Sequence, residues 1–322
     1  MVVLWSNPDI TVPCHTMAYI KNSPKFHAGE GESVNQTPLP SETSKTPPSA
    51  ASESQHRTNT VSVGPAQLGS GTFSVIAGPC AIESEAQFEE TALAVKQNGA
   101  VLLRGGIWKM RTSHKTFQGL GDTAFDFVRE VLARQKMKLV TEVTDPRQIE
   151  RIDDFTGMYQ VGARNMFNYA LLKELGKTQK PILLKRSFSA LCEEWFKAAD
   201  YIVASGNDKV VLCERGIRTF ETATRFTFDL NAVLIAKTKT NFPVVVDPSH
   251  AIGIAEYVPK LALAAAAVGA DGIIVEVHPR PAEALSDGQQ ALTVENFRVM
   301  MTQITGIVNS LGREMQRLET HG

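Results

Sequence analysis

The stretch Val101-Leu102-Leu103-Arg104-Gly105-Gly106-Ile107-Trp108-Lys109-Met110-Arg111-Thr112-Ser113 sets an apolar run directly before a crowd of cations and hydroxyls. A run of that length reads as a short buried strand, and the two glycines after it let the backbone come close to an anion. Arginine forks grip phosphate oxygens in pairs, so the segment has the makings of a phosphate-site floor. A solvated basic loop is the blander reading, and the stretch alone does not choose between them. Recurrence of the pattern, strand and then polar cluster, does.

It recurs from about residue 72 onward. Short β-branched runs at 74–77, 101–103, 138–141, 158–161, 182–184, 210–212, 243–246 and 272–275 alternate with longer amphipathic stretches. The periodicity predicts helices over 84–98, with Ser84 as N-cap, and over 122–135, 145–154, 168–175, 189–204, 221–237, 255–268 and 294–311. Strands alternating with helices imply parallel βαβ crossovers. Eight such units over roughly 250 residues have the count and size of a (β/α)8 TIM barrel, an α/β fold. A doubly wound open sheet is the rival arrangement. Gly269-Ala270-Asp271-Gly272 and the small residues 262–267 fit close helix-on-barrel packing.

The bulk composition agrees. With 322 residues, 43% hydrophobic and 21% charged, the chain is long enough for one large domain. A net charge of −1 argues against nucleic acid or an anionic membrane as the main partner, so any anion site must be a local concentration of positive charge. No apolar run approaches the roughly 18 to 20 residues of a membrane span. Cys14, Cys80, Cys192 and Cys213 form no CxxC pair, which suggests a reducing compartment. The first residues lack a basic-then-apolar secretory pattern, so a cytoplasmic protein is expected. Residues 1–70 include a Ser-, Thr- and Pro-rich stretch with few large apolar side chains, and they are expected to form a disordered tail before a catalytic barrel over 71–322.

A barrel makes a demand, because functional side chains sit at the C-terminal ends of its strands. The strand ends read Gly78-Pro79-Cys80, Arg104-Gly105-Gly106, Glu142, Gly162-Ala163-Arg164-Asn165, Lys185-Arg186, Glu214-Arg215-Gly216, Asp247-Pro248-Ser249-His250 and Glu276-Val277-His278. Two kinds of chemistry emerge. Arg104, Lys109, Arg111, Arg164, Lys185, Arg186 and Arg215 would repel one another unless anions lie between them or Glu83, Glu142 and Glu214 neutralise some of them. Cys80, His250, Glu276 and Asp287 offer a thiolate, an imidazole and two carboxylates, a donor set for a divalent metal such as Mn, Fe, Co or Zn. The first and last strands are neighbours in a closed barrel, so these distant positions can converge. A lone cysteine after a strand is equally what a small core residue looks like, His278 is a rival ligand, and Glu276 could serve as a general base.

These residues closely resemble a known family. From about residue 72 to 305 the chain is similar to type I 3-deoxy-D-arabino-heptulosonate 7-phosphate (DAHP) synthases of the subgroup shared by many bacteria and archaea. The matching motifs include Ala77-Gly78-Pro79-Cys80, Leu103-Arg104-Gly105-Gly106, Lys109-x-Arg111-Thr112-Ser113, Gly162-Ala163-Arg164-Asn165-Met166, Cys213-Glu214-Arg215-Gly216, Asp247-Pro248-Ser249-His250 and Leu285-Ser286-Asp287-Gly288. The resemblance implies condensation of phosphoenolpyruvate with erythrose 4-phosphate, the first step of the shikimate pathway. It assigns Arg104, Lys109, Ala163, Arg164, Lys185 and Arg215 to phosphoenolpyruvate, and Arg111 and Thr112 to the aldehyde's phosphate. It also assigns Cys80, His250, Glu276 and Asp287 to the metal, with Lys109, Asp247 and His250 as catalytic groups.

The family's Lys-Pro-Arg-Thr-Ser-Pro reads here Lys109-Met110-Arg111-Thr112-Ser113-His114, so two prolines that would stiffen the loop are missing. That departure leaves room for another aldose phosphate as the acceptor. The related 3-deoxy-D-manno-octulosonate 8-phosphate synthases carry Lys-Ala-Asn-Arg-Ser at this place and are the rival enzyme family. A non-catalytic phosphometabolite-binding barrel is the rival outside enzymes. The resemblance further implies a homo-oligomer, dimer or tetramer, and leaves room for a chorismate mutase partner. No regulatory domain is recognisable in the Ser/Pro-rich stretch.

Overall fold

The computed structural model describes residues 58–318. Its first element is an antiparallel hairpin of β1 (Val61–Val63) and β2 (Ala66–Leu68). Eight parallel strands follow and close on themselves: β3 (Ser74–Gly78), β4 (Leu102–Arg104), β5 (Leu139–Glu142), β6 (Thr156–Val161), β7 (Ile182–Lys185), β8 (Val210–Glu214), β9 (Val244–Val246) and β10 (Gly272–Glu276). Closure runs through β10 and β3, paired from Gly272↔Ser74 to Glu276↔Gly78. The chain is therefore a (β/α)8 barrel, and the open-sheet rival is excluded.

Parallel neighbours need crossovers, and helices supply them: α1 (Glu85–Gln97), α2 (Phe125–Gln135), α3 (Ile149–Ile152), α4 (Tyr169–Gly176), α5 (Cys192–Ala204), α6 (Leu230–Lys239), α7 (Pro248–Ile252), α8 (Val258–Ala267) and α9 (Val294–Ser310). Ser84 caps α1 as expected, its side chain accepting from the Gln87 N–H at 3.2 Å. One helix differs from expectation. The stretch 221–237 begins as a loop, and α6 starts only at Leu230, capped by Asp229. The backbone before it is engaged elsewhere: Arg225 N–H donates to Ile252 O at 3.1 Å and Phe226 N–H to Ala251 O at 2.9 Å. The short helix α7 falls where the periodicity signals none.

Side chains alternate across each strand, and the core divides accordingly. Val75, Leu103, Leu139, Tyr159, Ile182, Leu212 and Val275 face outward and pack under the helices. Ile76, Leu102, Val140, Met158, Leu183, Val211, Val245 and Ile274 face inward and fill the barrel. Val61, Val63, Ala66 and Leu68 of the hairpin join the inward cluster. The hairpin lies at the N-terminal ends of the strands: Ser74, the first residue of β3, donates through Oγ to Gln67 O at 2.8 Å.

That hairpin corrects the expected tail boundary. Residues 58–70 are not a disordered tail but a plug, because alternate apolar residues let two very short strands bury one face in the barrel. The remainder of the expected tail, residues 1–57, lies outside the described residues, as do residues 319–322.

Candidate active site

Period-two alternation explains why the polar residues converge. Arg104, Glu142, Gln160, Lys185, Arg215, Asp247 and Glu276 each stand two positions after an inward-facing residue of the barrel: Leu102, Val140, Met158, Leu183, Cys213, Val245 and Ile274. They continue the same face and form a polar layer on the apolar fill. Arg104, Glu142, Lys185 and Glu276 are the last residues of their strands rather than the first after them. Arg186 and Glu214 follow the outward-facing Leu184 and Leu212 and so point away. Arg186 donates to Glu214 at 3.1 Å, to Asp229 at 2.8 Å and to Ala190 O, which removes it from the basic cluster expected at the mouth.

Above this layer lies a cavity of about 270 Å³. Arg104, Lys109, Arg111, Thr112, Ala163, Arg164, Lys185, Arg215 and His250 all line it, together with Asp287. Glu142, Gln160 and Arg225 line it too, and of these three only Glu142 is marked by the strand-end pattern of the sequence. Met110 also lines it, whereas His114 does not and is exposed.

Positive charge in the cavity is only partly answered. Arg104 meets Glu276 at 3.0 Å through NH2, yet its Nε and NH1 have no partner among the described residues although buried. Arg215 is 5% exposed, pairs with no carboxylate among the described residues, and leaves NH1 without an acceptor. Burial brings its pKa down to about 10, still a cation at neutral pH. Lys109 lies 3.9 Å from Glu142. Burial opposes its charge, but nearby Cys80 and Glu142 outweigh that and hold its pKa above the usual lysine value. Arg164 donates to Thr112 Oγ1 at 3.3 Å, joining the two expected anion sets at one contact. Buried guanidinium donors left unpaired are costly, so the arrangement calls for an anion.

Beside the cations, Cys80, His250, Glu276 and Asp287 present donor atoms all within 4.8 Å of one another. Gly78, the last residue of β3, lets the strand leading to Cys80 lie close against Arg104: its φ is +152°, and a Cβ there would meet Arg104 O at 2.2 Å. Asp287 reaches in from a left-handed backbone position, φ 52°. Its Oδ2 lies 3.5 Å from Cys80 Sγ and 3.8 Å from His250 Nε2. His250 Nε2 is 3.4 Å from Glu276 Oε1. His250 Nδ1 lies 2.8 Å from Asp247 Oδ2, though out of line for a straight hydrogen bond. Asp247 also takes the Lys185 ammonium, and its Oδ1 accepts the His250 N–H at 2.9 Å. A carboxylate facing Nδ1 favours the proton there and frees Nε2.

The donor set fits a divalent ion. Burial, despite the neighbouring carboxylates, holds His250 below the usual imidazole range and therefore neutral, as a ligand must be. Burial works to raise Asp287, but His250, Arg225, Lys109 and Arg111 bring it to about 2. Burial first, and then Glu276, push the Cys80 thiol up to about 12, so a metal entering there must displace its proton. His278 is not part of the group; its Nε2 faces Glu83 at 3.4 Å, outside the quartet.

Comparisons with known proteins identify the family. The model of the family described as the DAHP synthetase I family matches residues 52–310. The chain is 44% identical over 252 residues to a phospho-2-dehydro-3-deoxyheptonate aldolase of Thermotoga maritima, covering 78% of this chain and 75% of the relative. It is 31% identical over 247 residues to a 2-dehydro-3-deoxyphosphooctonate aldolase of Rhodopseudomonas palustris, covering 71% and 85%. The crystal structure of the Thermotoga maritima DAHP synthase matches with a TM-score of 0.78 and 42% identity, over 81% of this chain and 76% of that one. A truncated form of the same enzyme gives 0.76 and 40%, over 82% and 97%.

Proposed function

Because the chain belongs to the DAHP synthetase I family, we propose that its cavity carries out that family's condensation of phosphoenolpyruvate with erythrose 4-phosphate. The protein is an enzyme that forms DAHP and inorganic phosphate, the first step of the shikimate pathway. The observation that carries the reading is the pair of buried, unpaired guanidinium donors on Arg104 and Arg215, beside a four-donor metal quartet.

Arg104, Arg164, Lys185 and Arg215 hold the phosphate and carboxylate of phosphoenolpyruvate, with Ala163 forming part of the wall. Arg111 and Thr112 take the phosphate of the aldehyde and orient its carbonyl toward the enol carbon. Cys80, His250, Glu276 and Asp287 would hold the divalent ion, which when bound supplies Lewis acidity for the aldehyde oxygen. C3 of phosphoenolpyruvate attacks the aldehyde carbon, water adds at C2, and the resulting hemiketal phosphate loses inorganic phosphate. Lys109, a cation on the cavity wall, donates to the oxygen where negative charge develops. Asp247 keeps the His250 ring oriented and Lys185 in place. The fixed cations stabilise the developing charge without having to reorganise.

Incubation with phosphoenolpyruvate, Mn and either erythrose 4-phosphate or arabinose 5-phosphate, with phosphate release as readout, tests the reading. Release with erythrose 4-phosphate is expected. Release with arabinose 5-phosphate alone transfers the chain to the octulosonate branch, and none with either leaves a binding barrel.

Mn, Fe, Co and Zn all suit the mixed sulfur, nitrogen and oxygen donors. Among the described residues no helix is long and apolar enough to cross a membrane. A cytoplasmic setting is part of the proposal, supported by the free thiols of Cys80, Cys192 and Cys213. Exposed Phe220, Leu191 and Leu234 support association into a homo-oligomer.

A further inference from the structure

We propose that Gln290 is a positioning residue that presents Glu276 to the metal and ties the metal quartet to the substrate cavity through Arg225; this rests on the metal reading above. Gln290 closes the turn Gly288–Gln290 after β10 and is fully buried. Its Nε2 donates to Glu276 Oε2 at 2.7 Å, and its Oε1 accepts from Arg225 NH1 at 2.5 Å. Chemistry fixes this orientation. A carboxylate only accepts and a guanidinium only donates, so a flipped amide would set like against like at both ends.

The consequences reach two of the four ligands. With Oε2 of Glu276 committed to Gln290, Oε1 is the oxygen turned toward His250 Nε2, at 3.4 Å. At its other end, Arg225 NH1 lies 3.8 Å from Asp287 Oδ2 while Arg225 lines the cavity. One amide therefore steadies a carboxylate ligand directly and a second through a cation that faces substrate. The turn itself does not need this amide. Backbone bonds hold it: Gln290 N–H to Asp287 O at 3.1 Å, Ala291 N–H to Gly288 O at 3.2 Å and Leu292 N–H to Glu276 O at 2.8 Å.

Gln290→Met, close to Gln in volume but unable to make either bond, tests the assignment in the full chain. Metal-free protein is titrated with Co2+ while the thiolate-to-cobalt absorption is followed, and KM and kcat for the aldehyde substrate are measured on the Mn-loaded enzyme. The expected result is a Kd for Co2+ raised about 10- to 100-fold, as when a ligand's outer partner is lost. A KM for the aldehyde phosphate that rises more than kcat falls should accompany it. A purely structural amide would lower the melting temperature and leave the Co2+ Kd within twofold of wild type, and that result overturns the proposal. If the wild-type chain itself gives no cobalt band, the metal reading fails first and takes the proposal with it. Should Gln290→Met not fold, Gln290→Asn, which keeps the amide but falls one methylene short, carries the same two readouts.

Discussion

Arg215 shows how much a single residue can decide. It stands two positions after the inward-facing Cys213, with its guanidinium carbon 4.3 Å from the centre of the Phe226 ring, and it lacks a carboxylate partner among the described residues. Its charge is therefore held ready for a ligand rather than spent on the fold. Arg215→Leu is expected to lower kcat/KM for phosphoenolpyruvate by about 100-fold or more while the melting temperature holds or rises, since a buried unpaired cation is removed. Steady-state kinetics beside a thermal melt checks both halves; a drop in stability with unchanged kinetics would make Arg215 structural. The four metal-ligand candidates were legible in the sequence because each stands at or beyond a strand end with a donor side chain. Arg225 and Gln290 were not. Each lies on a loop, and its reach depends on tertiary partners, Ile252 O for the Arg225 backbone and Glu276 for the Gln290 side chain.

At the scale of elements, the strands were legible because their apolar runs are short, β-branched and regularly spaced. Six of the eight run one or two residues past the expected C-terminal end, and the inward-outward rule that sorts Lys185 from Arg186 becomes usable only once the register is known. The first half of the helix expected over 221–237 is loop because the backbone of Arg225 and Phe226 is bonded to the α7 segment instead of to a helical turn of its own, while the second half is α6. The loop 109–118, which lacks two prolines usual in its family, is held by its own hydrogen bonds. Lys109 N–H donates to Gln118 O at 2.8 Å, Thr116 N–H to Ser113 O at 3.3 Å, and Gln118 Nε2 to Thr116 O at 2.8 Å. His114 occupies the second position of the turn Ser113–Thr116, the position at which the common β-turn types favour proline. His114→Pro should therefore stabilise the protein by about 0.4–1 kcal/mol through the unfolded chain, with KM for the aldehyde phosphate unchanged. Urea unfolding and initial-rate kinetics check it; destabilisation would mean that the turn needs a φ or an N–H that proline cannot supply.

The whole molecule separates its duties along the barrel axis. The hairpin fills the N-terminal end, apolar side chains the middle, and the charged layer the C-terminal end. Leu68→Ala, at a fully buried plug position, should cost about 2–5 kcal/mol of stability yet leave the kinetic constants near wild type. Denaturation midpoints and kcat/KM measured on the same variant separate the two ends; a large kinetic defect would show that the plug and the site are coupled. The charged end has its own consequence for the life of the protein. With donors of Arg104 and Arg215 buried and unanswered, the ligand-free barrel contains self-repulsion that a bound anion relieves. Phosphoenolpyruvate should then protect the chain even without metal, by about 2.7 kcal/mol at a hundredfold excess over its Kd, read as a concentration-dependent rise in melting temperature. Metabolite supply would thus govern how much enzyme survives unfolding and proteolysis as well as how fast it turns over, so that starvation for the substrate thins the catalyst itself.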